Sequence, residues 1–288
     1  MTSTSTTRRL STRTRRQLVV FGTCCLVISW GLWLIAGLTG TDVTTSPTIW
    51  LFAIGASGPS LAALVAVLVI RRSDPGLRRR LAAPWLWVPL ALVLGALPAL
   101  VAAMVLDPSG LGDDVDTTVA ASGGLLLFIV TYLIAGPLAE EFGWRGYLQP
   151  RLRTRFGILS TAAIVGAAWA LWHVPLFFLP GTGQEEMGLF TVRGLVFSVT
   201  MLPLSVTYLF MSEALGGGVW AAVLLHFAGN AAGALFPEPS IAGALVQLLV
   251  VVAIAAVSLI TWRRLRSVPF ARRVAAPDAA PDQVPEGV

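Results

Sequence analysis

The sequence predicts an all-α polytopic membrane protein of about eight transmembrane helices, with both termini cytoplasmic. Three observations carry this. The 288 residues are 56% hydrophobic and only 12% charged, where a soluble domain carries roughly 25% charged residues. The apolar residues are gathered into eight separate runs, each long enough to cross a bilayer core at about 20 residues. The basic residues alternate between the connecting loops, as the positive-inside pattern requires.

The runs are 17–38, 49–70, 84–106, 122–147, 158–179, 189–211, 217–236 and 240–262. Backbone groups in lipid must be satisfied within the segment, so each run is expected to be a helix. Arg8, Arg9, Arg13, Arg15 and Arg16 precede the first, and the loop "TGTDVTTSPT" after it has no Arg. Arg71, Arg72, Arg78, Arg79 and Arg80 follow the second, and the acidic "LDPSGLGDDVDTT" follows the third. Arg151, Arg153 and Arg155 follow the fourth, and "PGTGQEEMG" the fifth. Arg263, Arg264, Arg266, Arg272 and Arg273 close the series, with only "EALGGG" (213–218) uninformative. The organisation expected is a basic cytoplasmic tail (1–16), a membrane domain (17–265) and a disordered cytoplasmic tail (266–288) rich in Pro, Ala and Asp. The first run is longer than the 7–15 residues typical of a signal-peptide core, so it is read as a span.

All 20 basic residues are Arg and the net charge is +5. They lie in short blocks between apolar runs, a pattern for orienting a chain in a membrane rather than for binding nucleic acid. Cys24 and Cys25 are adjacent in an apolar run. Neighbours there cannot staple the fold, and two cysteines cannot build a Cys-based metal site.

The ionisable residues in or against the runs are Glu140, Glu141, Arg145, His173, Arg193, Glu213 and His226. Such groups cost about 2.5–3.5 kcal/mol each on insertion scales, which makes them functional candidates. Both histidines of the chain are among them. Glu141 and Arg145 are i,i+4, as are Trp169 and His173, and His226 and Asn230, so each pair shares a helix face. Glu140 is turned about 100° from Glu141. Glu141 is therefore expected to be held by Arg145 while Glu140 points elsewhere. A hairpin turning at Phe156–Gly157 puts Glu140 and His173 at equal depth. His226 lies nine residues beyond the turn near Gly217, ~13 Å of helix. Read singly, the acids could be a wet helix end, each histidine and Asn230 a packing residue, Trp169 and Trp172 packing or interface aromatics, and Arg193 and Glu213 boundary residues. Their common depth points to one buried centre.

Three motifs follow in order: "EEFGWR" fits E-E-x-x-x-R, "WALWH" an aromatic-x-x-x-H, and "HFAGN" H-x-x-x-N. The region 123–233 thereby resembles the CPBP family of CAAX proteases and bacteriocin-processing enzymes, also called the Abi family, whose eukaryotic relative is the type II CAAX prenyl endopeptidase. The second motif usually opens with Phe and here opens with Trp169. The resemblance implies an eight-helix intramembrane endopeptidase of the plasma membrane, acting on a membrane-anchored or membrane-proximal peptide or protein. Prenylated CAAX proteins are the substrates of the eukaryotic relative; bacterial members look like they act on leader peptides, bacteriocins or membrane proteins. Carried over, Glu140 looks like the catalytic acid/base, His173 its water-positioning partner, and His226 and Asn230 the groups that stabilise the tetrahedral intermediate. Glu141 and Arg145 complete the first motif. A zinc ion held by Glu140, His173 and His226 would fit a catalytic site with an open position. Metal-free activation of water by Glu140 and His173 uses the same residues and is preferred. Two other readings stay open: a proton-coupled transporter, since intramembrane Glu and His also form relays, and a non-catalytic scaffold or immunity protein of the same fold.

Overall fold

A computed structural model describes residues 10–70, 87–108, 111–237 and 239–267. The Arg block at 71–80, the start of the basic tail and the C-terminal tail beyond 267 lie outside the described residues. In chain order the helices are α1 (Thr12–Leu38), α2 (Thr48–Ala56), α3 (Gly58–Val69), α4 (Val88–Leu106), α5 (Leu111–Ala121) and α6 (Leu125–Leu133). A broken turn (Ile134–Leu138) then leads into α7, built of Ala139–Gly143, a π-turn Trp144–Leu148 and Gln149–Arg153. There follow α8 (Ile158–Trp172) with a 3₁₀ extension (Val174–Phe178), α9 (Gly183–Met187), α10 (Val192–Leu209) with a π-turn (Phe210–Ala214), α11 (Gly218–Leu235) and α12 (Ile241–Ser267).

Among the described residues seven helices are long and apolar enough to cross a membrane, or eight if α2 and α3, bent by 56° to each other, are one span. The expected second run is thus two half-helices. The expected loop between the third and fourth runs contains a helix, α5. The fourth crossing extends to Arg153, six residues past the expected end. Glu140 and Glu141 therefore sit near the middle of a crossing and not at its margin.

The distribution of side chains inverts that of a soluble protein. Leu38, Leu126 and Phe190 are 87%, 74% and 86% exposed, whereas Glu140, Glu141, Arg145, His173 and His226 are all buried. Lipid solvates the outer leucines, and the polar groups are left to satisfy one another inside the bundle. The central element is α11, which packs along α4 and against the broken turn and α7. On one side α4 continues to α12, α10 and α8; on the other α7 packs on α3, which packs on α1. Small residues bring these helices together, as in other membrane bundles. A side chain at Gly143 on α7 would place its Cβ 2.4 Å from the carbonyl of Pro59 on α3, so only glycine admits that approach.

Both broken crossings carry a Gly-Pro step. The break between α2 and α3 is followed by Gly58-Pro59, and the break after α6 holds Gly136-Pro137. Proline lacks the N–H of the helical ladder and pushes its predecessor out of the α region. Ala135 has ψ 92°, and Gly136 has φ 110° and ψ −78°, a conformation that L side chains rarely adopt. One carbonyl near this break, that of Leu138, accepts from Ser60 Oγ at 3.3 Å. A third proline, Pro150, is carried without a break because it follows the π-turn, where the ladder has already shifted (Gln149 N–H donates to Trp144 O).

Candidate active site

Two networks meet at the start of α7. In the first, Arg145 Nη1 donates to both oxygens of Glu141, at 3.0 and 3.1 Å, within one helix. Both side chains are wholly buried. The guanidinium lies 3.9 Å from the ring centre of Tyr208 on α10 and 4.3 Å from that of Trp169 on α8. The two rings supply a negative face to a cation that has left water. From α11, His226 Nδ1 lies 2.8 Å from Glu141 Oε1. A carboxylate paired with Arg can only accept, so Nδ1 carries the proton. In a neutral His226, Nε2 is then a bare acceptor.

The second network holds Glu140. Trp169 Nε1 donates to its Oε2 at 2.8 Å. The other oxygen faces the break. A Cβ built on Gly136 would lie 3.6 Å from Glu140 Oε1, 3.4 Å from His226 Nε2 and 2.9 Å from Asn230 Nδ2. Those three atoms therefore ring the bare Cα of Gly136. The unwound turn with no side chain is what opens space beside them.

His173 ends α8, where Pro175 stops the helix. Its Nδ1 lies 2.8 Å from the Trp169 carbonyl, which can only accept, so Nδ1 again carries the proton and Nε2 is bare. Its ring is fixed edge-on to Trp172 at 4.8 Å and to Phe197 at 5.3 Å. Trp30 on α1 donates to the Trp172 carbonyl at 3.2 Å, satisfying one group freed at the helix end.

The region that holds the two acids, Arg145, both histidines and Asn230 is also the region that matches known proteins. A family model described as Type II CAAX prenyl endopeptidase Rce1-like matches residues 122–232. Residues 122–232 are thus similar to CAAX proteases. The CAAX prenyl protease 2 of Methanococcus maripaludis is 29% identical over 100 residues, 34% of this chain and 37% of that protein. The match thus spans little more than a third of that relative's length.

Within this matched region, Glu140, Glu141, Arg145, His173, His226 and Asn230 are all brought to one place, through Trp169 on one side and Gly136 on the other. The expected separation of the two acids is present: Glu141 is held by Arg145 and Glu140 is not. One detail narrows the role expected of His226. Its Nδ1 is committed to Glu141, so only Nε2 faces the break, and it can donate there only as an imidazolium.

The donors named for zinc do not form a set. Among the described residues no three His, Cys, Asp or Glu side chains are grouped to hold one ion. Glu140 Oε2 is also engaged by Trp169. The residues do not fit a metal centre, and no step below runs through one.

Three residues of the centre escape sequence reasoning. Trp169, read as a packing aromatic, bonds directly to Glu140. Tyr208 reads as one more apolar residue of its run, yet its ring covers Arg145. Gly136 carried a usable signal, since Gly-Pro inside an apolar run marks a break. Glu213 bridges to Arg153 at 2.9 Å, tying the ends of α7 and α10 away from the centre.

Proposed function

We propose that this chain is an intramembrane endopeptidase that hydrolyses a peptide bond of a membrane-anchored or membrane-proximal substrate at the plasma membrane. The observation that carries the reading is the pair of oxygens of Glu140. One is tethered by Trp169, and the other stands beside His226 Nε2 and Asn230 Nδ2 at the gap left by Gly136.

Water bound in that gap meets Glu140 Oε1, and the bare Nε2 of His173, whose ring is anchored on Trp169, is its second partner in this reading. Glu140 Oε1 takes one proton as the water oxygen bonds to the scissile carbonyl carbon. General base catalysis of this kind contributes about 10²–10⁴-fold. The carbonyl oxygen becomes an oxyanion and accepts from Asn230 Nδ2–H, with a second bond from Nε2–H when His226 enters the reaction as an imidazolium paired with Glu141. Such donors contribute about 10²–10³-fold each. Glu140 then returns its proton to the leaving nitrogen as the C–N bond breaks. Glu141 and Arg145 take no proton; they orient His226 and neutralise each other.

The test is cleavage of a membrane-anchored peptide by purified protein. Glu140→Ala and His173→Ala are each expected to lower kcat by at least 10²-fold, and full activity in both would sink the reading. Broken crossings also occur in transporters, so the proton-coupled reading keeps one supporting observation. Proton flux in liposomes that disappears in Glu140→Gln would favour it over hydrolysis.

A further inference from the structure

We propose that Trp169 is a positioning residue of this reaction: its indole N–H tethers one oxygen of Glu140 so that the other alone is presented to water. The inference rests on the reading of Glu140 as the base.

The two carboxylate oxygens stand in different surroundings. Oε2 accepts from Trp169 Nε1 at 2.8 Å, and Oε1 faces the gap at Gly136 with His226 Nε2 and Asn230 Nδ2. Without the tether, rotation about the terminal torsion of Glu140 is broad, and neither oxygen would be held toward the gap. Holding the reacting atom in one geometry is itself a large part of a rate enhancement.

The bond is not simply what any buried indole would find here. Trp144 and Trp172 lie in the same core, and their indole nitrogens are buried with no partner. Packing in this bundle therefore tolerates an unpaired indole, whereas the one at 169 is aimed at the carboxylate. The same residue, through its backbone carbonyl and its ring, also fixes the neighbours of Glu140. Its carbonyl accepts from His173 Nδ1, its ring is edge-on to His226 at 5.5 Å, and Arg145 lies over its face. Position 169 thus connects three of the groups on which the chemistry depends. A phenylalanine there would keep the ring contacts and the carbonyl and lose the tether alone.

Trp169→Phe isolates that bond. We expect kcat on a membrane-anchored peptide to fall about 10- to 100-fold, with KM within twofold and an unchanged melting temperature. The isostere with benzothiophene in place of indole, which replaces N–H by sulfur, serves if the phenylalanine variant folds poorly, and the same loss is expected. A wild-type kcat in a folded variant of either kind overturns the proposal. A second readout does not depend on activity. In the ¹⁵N–¹H spectrum of the full chain in micelles, the Trp169 indole resonance should lie downfield and move upfield in Glu140→Ala. An indole resonance indifferent to that substitution overturns the tether. A wild-type protein that cleaves nothing refutes the hydrolytic reading instead, and the indole resonance still reports the tether separately.

Discussion

Gly136→Ala adds a single methyl group where the structure leaves little room for one. The residue is held at φ 110° and ψ −78° by the proline that follows, and alanine in such a region costs about 1–3 kcal/mol. The new Cβ would stand 2.9 Å from Asn230 Nδ2 and 3.4 Å from His226 Nε2. Ordinary contact begins near 3.5 Å, so Asn230 must retreat by roughly 0.6 Å. A misplacement of about 1 Å costs on the order of 10²-fold in rate. The variant is therefore expected to lose about 10- to 100-fold in kcat and to melt a few degrees earlier. The assay is hydrolysis of a membrane-anchored, internally quenched peptide, with thermal unfolding in the same detergent. Gly31→Ala is the control, because a Cβ there meets nothing within 4 Å. A Gly136→Ala protein with wild-type kcat would refute the claim that the bare turn makes room for water.

Three further outcomes follow from the same geometry. Arg145→Met should leave Glu141 buried without its guanidinium and destabilise the protein by about 3–5 kcal/mol, read as loss of folded yield and a lower melting temperature; an unchanged melt would count against the pair. Asn230→Ala should lower kcat by about 10²–10³-fold with KM little changed, whereas a pure rise in KM would show that Asn230 binds substrate rather than the oxyanion. Treatment with a zinc chelator should leave kcat unchanged, and loss on chelation with recovery on added Zn²⁺ would overturn the metal-free chemistry.

Much of this centre was legible in the sequence because its signals are local. The i,i+4 spacing of Glu141 and Arg145 fixes their pairing within one helix, and the hairpin at 154–157 sets Glu140 opposite the end of α8. The i,i+4 pairs Glu141/Arg145, Trp169/His173 and His226/Asn230 reported which faces turn inward. What local pattern could not report is direction across the bundle. Nothing in "WALWH" says that the Trp169 indole N–H meets Glu140, since that depends on how α8 is rotated against α7. The same holds for Tyr208 over Arg145 and for the commitment of His226 Nδ1 to Glu141. The two breaks belong to a third kind. Gly58-Pro59 and Gly136-Pro137 are plain in the sequence, but uninterrupted hydrophobicity around them made each stretch read as one straight span. The acidic stretch 111–121 read as a loop because it is too polar to cross, although polarity does not prevent a short helix.

The pairing of Glu141 with Arg145 inside a single helix also bears on how such a chain can be made. His226 lies 85 residues downstream of Glu141. At a synthesis rate of about 5–20 residues per second, it leaves the ribosome roughly 4–17 s later. During that interval the fourth crossing must enter lipid with Glu140, Glu141 and Arg145 already in it, before α11 has been synthesised. A counter-charge one helical turn away lets the nascent segment carry its own neutralisation through the translocon. The ion pair is thus available from the first moment of insertion, and the histidine joins a carboxylate that has been waiting for it in place.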